Sequence, residues 1–144
     1  MKISSRTEYG LRAMVALAMM AGVDRPVPLR AVAESESIPE PFLDQIMAKL
    51  RRANLVTSVR GANGGYHLSR PADEISVGEL VRVLEGSLAP VACVGEADSS
   101  ESACDLFVGC HARNVWVRVT NAITRALDAL TLADVMHDEV PLHT

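Results

Sequence analysis

The residues of this chain with the greatest capacity for chemistry are three cysteines that lie close together. Cys93, Cys104 and Cys110 fall within eighteen residues, and the other 126 residues of the chain contain none. An odd number of cysteines does not suggest a disulfide scaffold, and scattered structural cysteines would not be expected to cluster in this way. We therefore expect the three thiols to act together, as ligands of a metal or cluster or as a redox switch.

The cysteines lie in a segment, residues 86–110, that has neither helical nor strand periodicity. It contains Gly, Ser, Pro and acidic residues, and it has no Lys or Arg. Long segments of this kind in a small protein are usually functional or disordered. The sequence thus predicts three parts: a folded domain over 1–85, the cysteine segment over 86–110, and a helical C-terminal part over 111–144.

Apolar residues at helical spacing predict three helices at the start of the first part. The first helix is expected from about Arg6 to Ala21, because Ser5 and Glu8 have the spacing of a capping box. A short helix over Pro28–Ser35 and a longer one from Pro39 to about Ala53 follow. The short helix followed by the longer one, after the first helix, forms the pattern of a helix-turn-helix.

A β-hairpin is predicted directly after these helices. Leu55–Arg60 and Tyr66–Ser69 have the composition of short strands, and the Gly-rich residues 61–65 supply the positive-φ positions of a tight turn. A hairpin in this place is a wing, so we expect a mainly α fold with a small β-hairpin wing. Ser76 and Glu79 have capping-box spacing and predict a fourth helix to about Glu85.

The C-terminal part is predicted to contain one long amphipathic helix, from about His111 to Leu130. A last short helix is expected after it, since Thr131 and Asp134 have capping spacing. The long helix has nothing in its own domain to pack against over its full length, so its apolar stripe predicts a homodimer interface. That stripe consists of Val115, Val119, Ala122, Ile123, Ala126, Leu127 and Leu130.

The charges of the chain are distributed unevenly around a formal net charge of −4. Residues 1–70 contain ten basic and six acidic residues, whereas residues 71–144 contain four basic and twelve acidic ones. The first half could therefore face the phosphates of a nucleic acid, while the second half could not. No stretch of eighteen apolar residues and no signal-peptide cleavage context occurs, so we expect a cytoplasmic protein that does not enter membranes.

Several motifs resemble those of the Rrf-type family of winged-helix transcriptional regulators, which includes the IscR-, NsrR- and RirA-like iron–sulfur regulators. The resemblance covers nearly the whole chain, and its most specific parts are the wing motif over 64–71 and the cysteine group. The other matching positions are residues 1–5, 8–14, 38–45, 55–61 and 75–79, Trp116, and residues 131–135.

The resemblance implies a DNA operator as partner and residues 41–53 as the recognition helix in its major groove. Asp44 and Gln45 match base-reading positions, since a carboxylate accepts from cytosine and a glutamine pairs with adenine. Arg60 on the wing would enter a narrow, A·T-rich minor groove. The expected phosphate contacts are Lys49, Arg51 and Arg52. For the last two, an ordinary solvated surface is the alternative.

The resemblance also implies that Cys93, Cys104 and Cys110 hold an iron–sulfur cluster, either 2Fe-2S or 4Fe-4S. The cysteines are separated by ten and then five residues, and the first interval is longer than in the known relatives. In one branch of the family a histidine three residues after the third cysteine is the fourth ligand. Arg113 occupies that position here and cannot be a ligand, because it stays protonated.

In another branch of the family an acidic residue near the N-terminus of the partner subunit completes the cluster site. That position here is Glu8, whose other possible role is that of capping-box partner of Ser5. A carboxylate is a weaker ligand than a thiolate at a soft metal. Oxidation, nitric oxide or loss of iron would then release Glu8 and shift the two DNA-binding heads of the dimer.

Two other uses of the cysteines remain open at this point. The same DNA-binding regulator could bind zinc or form a switching disulfide, although the cysteine spacing lacks the close pair that is usual in zinc sites. A cysteine-dependent enzyme fits less well, because Cys110 and His111 would point about 100° apart on a helix. The chain also has no phosphate-binding loop of the GxxxxGK type. We therefore expect a regulator and not an enzyme.

Overall fold

A computed structural model of the chain describes residues 2–90, 94 and 109–137. The expected mainly α fold with one two-stranded antiparallel hairpin is confirmed. A 3-10 helix over Ala72–Glu74, which the sequence did not indicate, lies between the hairpin and the fourth helix. The elements are α1 (Ser5–Met20), α2 (Leu29–Glu36), α3 (Glu40–Arg52), β1 (Val56–Val59), β2 (Gly65–Leu68), α4 (Val77–Glu85), α5 (His111–Asp128) and α6 (Leu132–Met136).

One hydrophobic core joins α1 to α2, α3, α4 and the wing. It forms because apolar side chains recur at intervals of three or four residues and so face one side of each helix. Leu132 of α6 is buried in the same core, which ties α6 to the N-terminal domain. The large side chains that are fully enclosed are Met14, Leu17, Leu43, Ile46, Met47, Leu50, Leu55, Leu68, Ile75, Leu80, Leu84 and Leu132.

The capping box predicted for α1 is wrong. Ser4, not Ser5, is the N-cap, and its hydroxyl accepts from the backbone N–H of Thr7 at 3.4 Å. With the helix starting one residue earlier, Thr7 takes the third helical position and Glu8 lies beyond reach of the cap. Glu8 is therefore left on the exposed surface of α1.

The two later capping sites differ in completeness. In α6 both halves of the predicted box are present: Asp134 N–H donates to the Thr131 hydroxyl (3.1 Å), and Thr131 N–H donates to the Asp134 carboxylate (2.9 Å). In α4 only Ser76 acts as a cap, because the Glu79 carboxylate turns to Arg70, at 2.6 Å.

Helix α5 begins at His111 as predicted and ends at Asp128 rather than at Leu130. Its end is attached to the N-terminal domain by backbone hydrogen bonds, among them one of 2.8 Å from Val77 N–H to the Leu130 carbonyl. No residue of α5 is buried within a single chain. Across residues 2–90, 94 and 109–137, no helix has the length and apolar character to cross a membrane.

Candidate nucleic-acid interface and sensor site

Helix α3 separates its apolar and polar residues cleanly. Leu43, Ile46, Met47 and Leu50 are fully buried, and Phe42 is half-buried, as predicted for the inner face. The opposite face carries the residues expected to contact DNA. Asp44, Gln45, Arg51 and Arg52 are exposed there, and Lys49 is half-buried.

The polar side chains of this face have no partner within the part of the chain that the structure describes. The intrachain ion pairs found there join other residues, such as Arg30 and Glu40 at 3.9 Å. Free charged and amide groups on an exposed helix can bind an external partner without first breaking internal contacts. The face of α3 that carries Asp44 and Gln45 is therefore open to DNA, with three basic residues on the C-terminal half of the helix.

The wing is built on two glycines whose backbone conformations need them. Gly61 and Gly65 have φ values of 110° and 147°, so the positive-φ turn residues expected from the sequence are confirmed at both ends of the turn. A Cβ on Gly65 would lie 2.1 Å from the Val27 carbonyl oxygen, which shows how closely the wing base packs on the α1–α2 connection. Arg60 begins the turn and is exposed. β1 packs against α3, so the base of the wing lies beside this helix.

Cys110 is the one predicted cluster ligand among the cysteines that lies within the described residues. It is the N-cap residue of α5, is half-buried, and has a free thiol. Gly109, Cys110, His111, Arg113 and Asn114 line an open cleft of about 280 Å³ at this helix end. The positive end of the helix dipole is there, which favours the negative charge of a thiolate-bound metal centre. Cys93 and Cys104 lie outside the described residues.

Glu8, the expected fourth ligand, is exposed on the first turn of α1. Its carboxylate takes part in no hydrogen bond or ion pair within residues 2–90, 94 and 109–137. Within those residues no three His, Cys, Asp or Glu side chains lie close enough together to hold a metal ion. Glu8 and Cys110 of one chain thus do not form a closed site by themselves, although each is available as a donor.

The sequence matches the family model of Rrf2, described as an iron-dependent transcriptional regulator, over residues 3–138. The chain belongs to the Rrf2 family. CymR of Bacillus subtilis strain 168, an HTH-type transcriptional regulator, is 37% identical over 134 residues, which are 93% of this chain and 88% of CymR. The described winged helix-turn-helix is therefore that of a transcriptional regulator.

Solved structures of Rrf2 proteins have the same fold. The structure of T. potens IscR matches with a TM-score of 0.75 and 38% identity, covering 100% of this chain and 93% of that protein. The oxidized form of Staphylococcus aureus CymR matches with a TM-score of 0.72 and 35% identity, covering 100% of each. Relatives with the names CymR and IscR are HTH-type transcriptional regulators.

One cluster of polar residues in this Rrf2 protein was missed by sequence reasoning. Glu85, at the end of α4, accepts hydrogen bonds from Ser4 and Thr7 at the start of α1. The hydrogen bonds from Thr7 and then from Ser4 lower the pKa of Glu85. The partners are about eighty positions apart in sequence, and no local pattern relates residues at that distance.

Proposed function

We propose that this Rrf2 protein is a cytoplasmic, dimeric regulator that binds an operator duplex and senses its signal through an iron–sulfur cluster on Cys93, Cys104 and Cys110. The observation that carries the proposal is the state of Cys110, a free thiol beside an open cleft where α5 begins. The family description as iron-dependent agrees with it. The regulator part is supported independently by the open polar face of α3 and by the wing.

On DNA, some residues of α3 and the wing would contact bases and grooves, and others would bind the phosphate backbone. Asp44 and Gln45 are free to reach base edges in the major groove, where carboxylate and amide groups distinguish base pairs. Arg60 on the wing turn suits a narrow minor groove. Lys49, Arg51 and Arg52 add positive charge for the phosphates, which fixes the position of the protein without reading sequence.

At the sensor, the donor set on the chain fits an iron–sulfur cluster. Three thiolates would come from one subunit, and the Glu8 carboxylate from the partner would complete the site, because Glu8 makes no competing side-chain contact among the described residues. The cluster, when bound, supplies an iron centre that reacts with oxidants and nitric oxide and that is lost under iron shortage. The chain's own contribution is to hold Cys110 at the start of α5 and Glu8 at the start of α1.

A second copy of the chain is the proposed occupant of the uncovered surface of α5. Val115 and Trp116 remain 55% and 38% exposed although they are large and apolar. The stripe expected from the sequence is half-buried at Val119, Ile123 and Leu127, which leaves the helix only partly covered. A self-complementary contact between two α5 helices would bury this surface and bring Glu8 of one subunit toward the cysteines of the other.

The proposal is tested by anaerobic purification followed by visible absorption and by measurement of iron and acid-labile sulfide. We expect the wild-type protein to be brown and to contain iron and acid-labile sulfide in equal amounts. The Cys110→Ser variant, which lacks this thiol, is expected to be colourless. Glu8→Ala is expected to shorten the lifetime of the visible absorption in air, whereas Glu74→Ala, which removes an exposed carboxylate that is not a proposed ligand, should not. A colourless wild-type protein without iron contradicts the cluster.

A switching disulfide is the second candidate for the cysteines. The free, accessible thiol of Cys110 favours it, and a relative, Staphylococcus aureus CymR, has been solved in an oxidized form. Mass measurement after treatment with a mild oxidant distinguishes the two functions. A loss of two hydrogens that is reversed by dithiothreitol and that changes DNA affinity, in a protein without iron, would support the disulfide.

A further inference from the structure

The N-terminal end of α1 and the C-terminal end of α4 cap each other. One carboxylate oxygen of Glu85 accepts three hydrogen bonds: from Ser4 N–H (3.1 Å), from the Ser4 hydroxyl (2.8 Å) and from the Thr7 hydroxyl (2.5 Å). In the opposite direction, Arg6 Nε donates to the Leu84 carbonyl at 2.9 Å. We call this set of residues the α1–α4 junction.

The charges of the junction match the two helix ends. The Glu85 carboxylate lies at the positive end of α1, and the Arg6 guanidinium lies at the negative end of α4, so both charges are favoured by the helix dipoles. Hydrogen bonds to an ionised carboxylate are about twice as strong as neutral ones. Thr7 is also the one buried polar side chain among the residues that the structure describes, at 3% exposure. The junction is therefore specific in geometry and costly to leave incomplete.

The position of the junction in the chain is what gives it a function. Glu85 is the last residue of α4 and directly precedes the cysteine segment, residues 86–110. On the other side, Thr7 directly precedes Glu8. The junction thus holds two points of the chain together. One is the end of α4, where the cysteine segment begins, and the other is the first turn of α1, which carries the proposed fourth ligand.

Helix α1 continues from the junction to the DNA-binding element. The rings of Tyr9 on α1 and Phe42 on α3 pack edge to face, with their centroids 5.6 Å apart and their planes at 82°. Arg12 on α1 forms an ion pair with Glu36 at 3.5 Å, at the end of α2. A displacement of the start of α1 would therefore reach both helices of the helix-turn-helix.

We infer that Glu85 is a positioning residue that couples the state of the cysteine segment to the DNA-binding head through α1. The inference rests on the proposed function in one respect, that the cysteines sense a signal. It does not depend on which chemistry they use. Loss of the junction would leave the three cysteines and the DNA-binding face in place, but the state of the cysteines would no longer be transmitted to that face.

The test is the ratio of DNA affinities between the two states of the sensor, measured with wild type, Glu85→Gln, Thr7→Val and the control Glu74→Gln. The DNA is a duplex selected by wild-type protein from a random-sequence pool. The ratio is measured twice, between cluster-loaded and cluster-free protein and between reduced and diamide-oxidised protein. Coupling between sites usually corresponds to factors of about 5 to 150, so its loss is measurable.

We expect the ratio to fall toward one in both junction variants and to keep its wild-type value in Glu74→Gln. Amide hydrogen exchange at Glu8 should become faster in the cluster-free junction variants, since the start of α1 is no longer fixed. Thr7→Val keeps the size of the buried side chain, so it tests the junction even where Glu85→Gln folds poorly. A purely structural role would shift both affinities equally and leave the ratio unchanged, which would overturn the inference.

The two hypotheses fail in different ways in this experiment. A wild-type protein that takes up no cluster but whose DNA affinity depends on oxidation contradicts the iron–sulfur proposal. The role of the junction is then tested by comparing the reduced-to-oxidised affinity ratio of the junction variants with that of wild type. A wild-type protein whose ratio is one in both comparisons overturns the coupling. A cluster-dependent ratio that survives in both junction variants supports the sensor and contradicts the role of Glu85.

Discussion

Arg82 on α4 binds both carboxylate oxygens of Asp128 on α5, with distances of 2.8 and 2.6 Å from Nη2. Beside this pair the two helices approach each other closely at Gly78. A Cβ there would lie 1.8 Å from Asp128 Oδ1 and 3.1 Å from the Asp128 backbone nitrogen. The end of α5 is thus held against the domain at a defined distance, while Val115 and Trp116 near its start stay exposed.

We expect Gly78→Ala to destabilise the protein by about 1–3 kcal/mol, because the added methyl group must displace the Asp128 carboxylate and presses against the Asp128 backbone nitrogen. The measurement is the free energy of unfolding from urea denaturation. Asp128→Ala serves as the matched background, because it removes the nearest clashing atom. Gly78→Ala should lower the free energy of unfolding by less in this background than in wild type. A smaller loss should remain, because the Asp128 backbone nitrogen is still close. Equal stability of Gly78→Ala and wild type would contradict the close approach.

The Asp128 substitution alone should have a small effect. The side chains of Arg82 and Asp128 are 37% and 42% exposed, and ion pairs at such positions contribute about 0–1 kcal/mol. The energetic importance of this contact therefore lies in the packing around Gly78 rather than in the charge pair. Because the ion pair contributes little, a smaller cost of Gly78→Ala in the Asp128→Ala background can be assigned to the relieved clash and not to the lost charge pair.

Folding stability should depend on pH through Glu85. Its pKa is lowered, by the hydrogen bonds from Thr7 and then from Ser4, below the ordinary value of about 4.3 for glutamate. A lowered folded-state pKa stabilises the protein above the unfolded-state value, and this stabilisation is lost as pH falls through the folded-state pKa. Glu85→Gln should thus differ most from wild type near neutral pH and progressively less below about pH 4. A difference that is constant from pH 7 to 3 would contradict this.

Much of the fold was predictable from local patterns in the sequence. Periodic apolar residues and capping spacings identified the six described α-helices and the inner face of α3, and the glycines around Arg60 identified the wing turn. The start of α1 was predicted one residue late, because Ser4 and Ser5 are adjacent and Glu8 made Ser5 the better apparent cap. The deciding interaction comes from Glu85 in another helix, and tertiary contacts of this kind leave no local trace.

The candidate site was predictable in part. The polar residues of α3 were correctly expected on its outer face, since burial follows from helical periodicity. The ligand assignments at Cys93, Cys104, Cys110 and Glu8 stay predictions. A ligand set depends on how a segment without periodicity folds and on where a second subunit lies, and neither follows from residue spacing in one chain.

The two kinds of DNA contact should respond differently to mutation. Gln45→Ala should cost about 1–3 kcal/mol on the selected duplex and little on duplexes changed at the base that it reads. Lys49→Ala should weaken binding to all duplexes alike and reduce the slope of log affinity against log salt by about 0.9. Fluorescence anisotropy titrations at several salt concentrations measure both effects. Glu34→Ala on the exposed side of α2 is the control, and interchanged behaviour of Gln45 and Lys49 would contradict the assigned roles.

The proposed cluster on the cysteines is expected to set the affinity of this Rrf2 protein for its operator. The direct measurement is the dissociation constant for the selected duplex, determined anaerobically with one preparation before and after the cluster is removed by a chelator. We predict two clearly different dissociation constants in the wild type and a single one in Cys110→Ser, whatever the treatment. Equal constants for the loaded and stripped wild-type protein, or a preparation without cluster at the outset, would contradict sensing through a cluster.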